Sequence, residues 1–147
     1  MKTVKSTSAI FSLLMAMPFL FLSCSKGSSP APVTPQSQAT ALLTSGPWKL
    51  QSSSVDGVDQ TALYNDFTIT FATSSFTTTN GRAIWPASGT WSFSGTSTTT
   101  IIRNDGVAVQ LQLSSTSLVM AIAWTKTTLG PGRTEATSGN NVFTMTH

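Results

Sequence analysis

Few side chains in this sequence of 147 residues have the chemistry for catalysis or metal binding. His147 is the only histidine and stands last, so we expect a frayed terminus, whereas a general base needs a positioned partner. Cys24 is the only thiol, which leaves a zinc site without enough ligands. The acids mostly flank predicted turns, and they are Asp56, Asp59, Asp66, Asp105 and Glu135. We therefore predict a protein that is not an enzyme and has no cofactor and no metal site.

Other patterns that carry chemistry are also missing from the sequence. Asp56 and Asp59 lack the alternating oxygen ligands and closing Glu of a calcium loop, so they predict a polar turn after the first strand. No Gly-x-Ser-x-Gly elbow surrounds any serine. The glycine-rich stretch 130–133 lacks the Lys-Ser/Thr pair of a phosphate-binding loop, and it reads as a flexible connection.

Cys24 is the one reactive residue with an informative position. It ends an apolar stretch, Ala9 to Leu22, that follows the basic residues Lys2 and Lys5. That stretch has the length of a signal-peptide core and is shorter than the roughly 20 residues that span a bilayer. Residues 1–23 are therefore predicted to be a signal peptide.

The residues around this cysteine, Phe21-Leu22-Ser23-Cys24, resemble the bacterial lipobox, in which an apolar pair and a small residue precede an invariant cysteine. The resemblance implies a lipoprotein whose Cys24 is lipidated and anchors the mature chain to the membrane. Phe21 departs from the leucine usual at that position, and an ordinary signal that happens to contain a cysteine is the alternative. Ser25 follows where an aspartate would imply inner-membrane retention, so an outer-membrane location facing the periplasm is favoured.

Residues 24–40 have the composition of a tether. Pro30, Pro32 and Pro35 lie among small polar residues. The segment has too few apolar residues to offset the conformational entropy lost on folding, so it is predicted to be disordered. The folded domain is then expected over residues 41–147. Basic and acidic residues are equal in number there, so the net charge of +3 belongs to the leader and tether. This distribution argues against a nucleic-acid partner, which requires clustered Lys and Arg.

Alternation of apolar and polar residues predicts an all-β domain. Ser and Thr make up about a third of the chain, and β-branched Thr suits the outward positions of a pleated sheet. No segment shows a convincing helical period, although Asp59–Tyr64 could form one turn with Asp59 as its cap. The predicted strands are 47–54, 66–73, 75–80, 89–94, 97–103, 107–113, 117–126 and 141–146.

Turn signals between these strands predict the topology. Asn80-Gly81 and Asp105-Gly106 suit hairpins with positive φ at both central positions. Regularly spaced turns indicate a meander, and eight consecutive strands can close into an up-and-down antiparallel barrel without exposed edges. A β-sandwich is the alternative fold, because alternation does not distinguish a closed sheet from two packed sheets.

The start of the first strand, Gly46-Pro47-Trp48, resembles the Gly-x-Trp signature of the lipocalins. The resemblance covers about residues 44–146 and implies that Gly46 and Trp48 pack at the closed end of the barrel. The family's late arginine, which stacks over the tryptophan, has no clear counterpart, and Lys126 and Arg133 are only substitutes. The family's paired cysteines and Thr-Asp-Tyr motif are also missing, which favours a short lipocalin-like lipoprotein domain.

Two binding functions rank above enzymatic activity, which would need two facing carboxylates or a nucleophile with its base. The first is a small apolar ligand held inside the barrel. The residues predicted to line its cavity are Phe67, Ile69, Phe71, Trp91, Phe93, Val109, Leu111, Met120, Ile122 and Trp124. The second is a filled core whose outer Ser/Thr face, or whose 128–141 loop, contacts another envelope protein. Trp85 lies outside the strands and is expected either to cap a barrel end or to be exposed.

Overall fold

The computed structural model describes residues 32–125 and 138–147. The predicted signal peptide, Cys24 and the substitutes Lys126 and Arg133 lie outside these residues, as do the first part of the tether and most of the 128–141 loop. Within the described ranges there are one α-helix, a 3₁₀ turn over Thr61–Tyr64 and nine strands. These elements are α1 (Pro35–Leu43), β1 (Pro47–Val55), β2 (Val58–Asp59), β3 (Thr68–Phe71), β4 (Ser75–Thr79), β5 (Ser88–Phe93), β6 (Thr100–Arg103), β7 (Ala108–Leu113), β8 (Ser117–Trp124) and β9 (Gly139–Thr146).

The strands form one closed antiparallel barrel. Each strand from β3 to β9 pairs with its neighbours in chain order, and β1 pairs with both β3 and β9. Strand β2 is a two-residue extension paired to the end of β1. The predicted eight-stranded up-and-down barrel is confirmed, and the single closed sheet excludes the sandwich alternative. All eight predicted strands are present, with bounds shifted by at most three residues.

Alternation along the strands separates an apolar interior from a polar exterior, because successive side chains point to opposite faces. In β8 the side chains of Leu118, Met120 and Ile122 are completely buried. In the pair β3–β4, Thr70 lies opposite Thr77 on the outer face, and both threonines are exposed. The abundance of threonine is therefore explained by the outer positions of the barrel wall.

Two ends of the barrel are distinguished below. The lower end contains α1, the start of β1 and the end of β9, and the loops 72–74, 94–99 and 114–116. The upper end contains the opposite connections 56–67, 80–87 and 104–107, together with the end of β8 at Trp124 and the start of β9 at Gly139. A register shift between Leu50 and Ser52 in β1 marks a bulge on the ladder to β9.

Helix α1 corrects the predicted tether, because residues 35–40 are helical instead of disordered. Thr34 caps the helix by accepting the backbone N–H of Ser37 at 3.1 Å, and Pro35 stands in the first turn, where its missing N–H costs nothing. Ala39 and Leu43, one turn apart, bury their side chains. The compact unit begins at Pro32, so the predicted domain start at residue 41 is too late.

The two hairpin predictions are only partly right. Asn80-Gly81 does not form a two-residue turn; it opens the longer connection 80–87, in which Asn80 and Arg82 have positive φ. At Asp105-Gly106 only Gly106 has positive φ, at 80°. Its N–H donates to the Arg103 carbonyl at 2.9 Å, a geometry typical of a three-residue loop with a bulge.

The predicted helical turn is confirmed as the 3₁₀ turn Thr61–Tyr64, but its N-cap is Gln60, which makes no side-chain capping bond, and not Asp59 as predicted. The Asp59 carboxylate accepts the backbone N–H of Thr61 at 3.0 Å and the Thr61 hydroxyl at 2.6 Å. The Thr61 hydroxyl also accepts the N–H of Ser53 at 3.0 Å. The turn is thereby joined to β1 at the upper end of the barrel.

Candidate functional site

All ten residues predicted to line a ligand cavity belong to the barrel core. Nine are buried, and Phe93 is half-buried against the others. The Phe71 and Phe93 rings contact Trp91 edge to face, with ring centroids 5.8 and 5.3 Å from that of Trp91. The inward orientation therefore agrees with the prediction, while the lining of a ligand cavity stays a prediction.

At the lower end, Trp48 is completely buried, in keeping with the packing role that the lipocalin resemblance implies. Its indole Nε1 donates to the carbonyl of Leu43, the last residue of α1, at 3.0 Å. The His147 ring lies over the indole, and its Nε2 is 2.9 Å from the Ser45 hydroxyl. The expectation of a frayed terminus is therefore wrong.

The upper end is closed by two segments, 60–67 and 80–87, which we call the upper cap. Two side chains connect them: Asn80 Nδ2 donates to the Asn65 carbonyl, and Arg82 Nε donates to the Leu63 carbonyl. Trp85 is only 1% exposed, so it closes the barrel end and the alternative of an exposed ring is wrong. Thr78 holds the neighbouring backbone by donating its hydroxyl to the Pro86 carbonyl at 2.8 Å.

Arg103 is buried at the upper end of the barrel. The sequence patterns described above did not indicate a role for this residue. Its Nη1 donates to the Ile84 carbonyl at 2.6 Å, and its Nε and Nη2 contact both carboxylate oxygens of Asp105 at 3.1 and 2.5 Å. The guanidinium stacks on Trp85, 4.9 Å from the ring centroid, and lies 6.0 Å from that of Trp124. Alternation from Ile101 would have placed this arginine on the inner face.

This ion pair has a clear electrostatic signature. The hydrogen bond from Arg103 holds the pKa of Asp105 below its ordinary value of 3.8, with burial opposing the effect. The charge of Arg103 is therefore compensated by a carboxylate of its own hairpin, and the pair anchors segment 80–87 through the Ile84 carbonyl.

Four aromatic side chains meet at the upper end of the barrel, three from the upper cap and one from β9. The Phe67 ring lies 6.2 Å from Tyr64, 6.3 Å from Trp85 and 5.5 Å from Phe143, measured between ring centroids. Tyr64 and Phe143 are perpendicular at 5.0 Å. We call these four residues the upper aromatic cluster. Every member is at most 1% exposed.

Polar atoms are buried in and beside this cluster. Tyr64 Oη, Trp85 Nε1 and Ser53 Oγ have no hydrogen-bond partner within residues 32–125 and 138–147. Ser53 lies opposite Phe143 in the β1–β9 ladder, which places it next to the cluster. Burial raises the pKa of the Tyr64 hydroxyl, with the Arg82 charge as a smaller opposing effect. Buried polar groups are nearly always hydrogen-bonded, so unpaired donors at one barrel end need an explanation.

A recess of about 400 Å³ opens on the barrel wall beside the cluster. It exists because β1 and β3 pair only from Pro47 to Lys49, after which the Leu50 N–H reaches the Phe67 carbonyl and the strands separate. Phe67 lines the recess and also belongs to the upper aromatic cluster. The recess is lined by Lys49, Leu50, Thr61, Asn65, Asp66, Phe67 and Thr68.

The acids of the described ranges mostly organise turns. Asp56 and Gly57 form the β1–β2 turn with positive φ at both positions, which confirms the predicted polar turn. The Asp56 carboxylate also accepts the Asn140 N–H at 2.8 Å. No group of three His, Cys, Asp or Glu side chains that could hold a metal ion occurs among the residues described, and Glu135 lies outside them.

No helix in the described part of the chain is both long and apolar enough to cross a bilayer. Comparison of the sequence and the structure with protein-family models, curated proteins and solved structures gives no match.

Proposed function

We propose that this chain is a lipid-anchored protein of the bacterial envelope whose barrel binds a small, largely apolar molecule at its upper end. The observation that carries the binding proposal is the upper aromatic cluster, in which buried polar atoms lack partners next to an open recess. Ligand sites in proteins combine a mostly apolar lining with a few convergent polar groups, in cavities of about 300–1,000 Å³. The recess has a volume within that range, and Phe67 is the residue that it shares with the cluster.

Binding without catalysis is the activity that these residues support. The rings of the cluster supply apolar contact area, and the unpaired hydroxyl and indole groups supply orientation. Asp59 is engaged with Thr61, and Asp105 is engaged with Arg103. Asp66 lines the recess, but among the residues described its lining includes no histidine or cysteine that could complete a nucleophile–base pair with it. The proposed ligand therefore leaves the site chemically unchanged.

Native mass spectrometry of the full chain, released from detergent micelles after mild purification, tests the binding proposal. We expect an added mass of a few hundred daltons that apolar competitors displace. Leu50→Trp fills the recess and should remove this mass. Leu42→Trp is the matched control, because Leu42 lines a different groove of about 510 Å³ beside α1. A bare protein that takes up no apolar compound would overturn the proposal.

The anchor is proposed from the lipobox resemblance and has a separate test. Cys24→Ala should abolish incorporation of labelled fatty acid and release the protein from the membrane fraction, whereas Ser25→Ala should change neither. Ser25→Asp should shift the protein from the outer to the inner membrane fraction. Continued labelling of the Cys24→Ala variant would refute lipidation at this residue.

A filled barrel that contacts another envelope protein is the second candidate. The packed aromatic rings of the core favour this second function, because they fill the barrel interior. The outer face of β3–β5 also favours it, because its outward side chains all carry hydroxyl groups. These outward residues are Thr68, Thr70, Ser75, Thr77, Thr79, Ser88, Thr90 and Ser92. A photo-crosslinker at Thr77 should then capture one reproducible protein in intact envelopes, whereas the same group at Gln110 on β7 should not. Random capture from both positions would count against this function.

A further inference from the structure

We propose that the upper aromatic cluster selects uncharged molecules that carry a hydrogen-bond acceptor, such as a ketone, ester or amide, with Tyr64 Oη and Trp85 Nε1 as the donors. This inference rests on the proposed binding function and specifies the chemical class of its ligand.

The two donors flank one ring. Tyr64 and Trp85 lie on elements that are separate in sequence, and their ring centroids are 6.2 and 6.3 Å from that of Phe67. Both residues are 1% exposed, so water does not reach their polar atoms from outside. An indole N–H only donates, and it therefore requires an acceptor from the ligand. A buried donor left unpaired destabilises the empty site, and this cost is recovered when an acceptor enters.

The orientation of Trp85 is held on several sides. Arg103 stacks on its ring at 4.9 Å, and Phe76 packs against it edge to face at 5.6 Å. The backbone N–H of Trp85 donates to the Gly81 carbonyl at 2.9 Å. Because the indole is fixed before any ligand arrives, its N–H loses little entropy on binding.

The charges around the cluster argue against an anionic ligand. Arg103 is compensated by both carboxylate oxygens of Asp105, and Arg82 directs its Nε to a backbone carbonyl of the upper cap. At the recess, Lys49 and Asp66 contribute one charge of each sign. A buried anion in the cluster would thus lose its hydration, while the cation stacked on Trp85, Arg103, is already compensated by Asp105, which makes burial of the anion costly. A neutral acceptor avoids this cost.

Three naphthalene compounds of similar shape separate the possibilities when titrated against the full chain. 2-Acetylnaphthalene carries an uncharged acceptor, 2-ethylnaphthalene carries none, and 2-naphthoate carries a charged one. We expect the acetyl compound to bind about tenfold more tightly than the ethyl compound, the equivalent of one recovered hydrogen bond. We expect the naphthoate to bind least.

Variants assign the effect to the two donors. Tyr64→Phe and Trp85→Phe should each reduce the roughly tenfold ratio of the affinity for 2-acetylnaphthalene to the affinity for 2-ethylnaphthalene. Trp91→Phe is the control, since its indole already donates to the Ala72 and Ser75 carbonyls at 3.1 Å. Circular dichroism of each variant checks that the barrel remains folded, and Tyr64→Phe, which removes only one oxygen, serves if Trp85→Phe unfolds.

The outcomes are distinguishable. Equal affinity for the acetyl and ethyl compounds, unaffected by Tyr64→Phe, would overturn this inference and leave the proposed binding function standing. Tightest binding of 2-naphthoate would overturn the selection against charge. Failure of all three compounds to bind, together with the absence of any co-purified mass, would overturn both the inference and the binding function.

Discussion

His147 lies over the indole of Trp48, with ring centroids 3.8 Å apart and ring planes inclined by 32°. Trp48 belongs to the first barrel strand and His147 follows the last one, so this contact joins the two strands that close the barrel. The hydrogen bond between Ser45 and His147 adds the residues that connect α1 to β1. The lower end is therefore a junction of helix, first strand and last strand.

Truncation of His147 should weaken this junction. His147→Ala is expected to lower the free energy of unfolding by about 1 kcal/mol, because aromatic contacts of this kind contribute about 0.5–1.5 kcal/mol. Urea denaturation followed by fluorescence measures the change. His147→Phe keeps a ring over Trp48 and loses only the polar contacts with the Ser45 hydroxyl and the Pro47 carbonyl, so its loss should be smaller. Unchanged stability of the alanine variant would show that the contact contributes nothing.

Gly81 and Gly46 should respond oppositely to the same substitution. A Cβ at Gly81 would lie 2.4 Å from the Trp85 carbonyl oxygen, so Gly81→Ala should displace the upper cap and cost about 1–3 kcal/mol. A Cβ at Gly46 meets its nearest neighbour, His147 Nδ1, at an ordinary 3.5 Å. Gly46→Ala should therefore be nearly neutral in thermal unfolding. A larger loss at Gly46 would contradict this explanation.

The Arg103–Asp105 pair should make the free energy of unfolding depend on pH in the acidic range. Because Arg103 holds the pKa of Asp105 below 3.8, the pair's contribution is complete above that value and is lost as pH falls through the lowered pKa. Urea titrations at pH values between about 2 and 6 measure this loss. Asp105→Asn should reduce stability at neutral pH and weaken the loss of stability at acidic pH. An unchanged loss of stability at acidic pH in that variant would assign the pH dependence to other carboxylates.

Helix α1 should be an energetic part of the barrel domain. Leu43 is completely buried, and Leu43→Ala is expected to cost about 2–5 kcal/mol, as large-to-small substitutions in cores do. Leu42→Ala is the matched control, since Leu42 is only half-buried and lines an open groove. Equal, small effects of the two substitutions would show that the helix is not docked in solution.

The barrel could be predicted from the sequence because its strands share one alternating pattern of inward and outward residues. Runs such as Leu118, Met120 and Ile122 alternate strictly with smaller residues, and a period of two has one interpretation when turn residues bound it. The closure between β1 and β9 followed from the number of strands and from the cost of exposed edges.

Features that depend on contacts distant in sequence were missed. Thr34-Pro35 and the spacing of Ala39 and Leu43 were helix signals, but the surrounding prolines and small polar residues outweighed them, and such a short helix depends on its packing. Trp85 stands in a connection without periodicity, so local pattern could not predict its burial. The pairing of His147 with Trp48 likewise arises only when the first and last strands meet.

The ladder between β1 and β9 also bears on how fast the domain folds. Its paired residues are between 86 positions apart (Val55 and Asn141) and 97 positions apart (Lys49 and Thr146). The hairpins of the meander join neighbours and can form early, whereas this ladder must await nearly the whole chain, and chains dominated by such distant pairings fold slowly. We therefore expect formation of the β1–β9 ladder to set the folding rate. Until this ladder forms, β1 and β9 each have an unpaired edge that can pair with other chains.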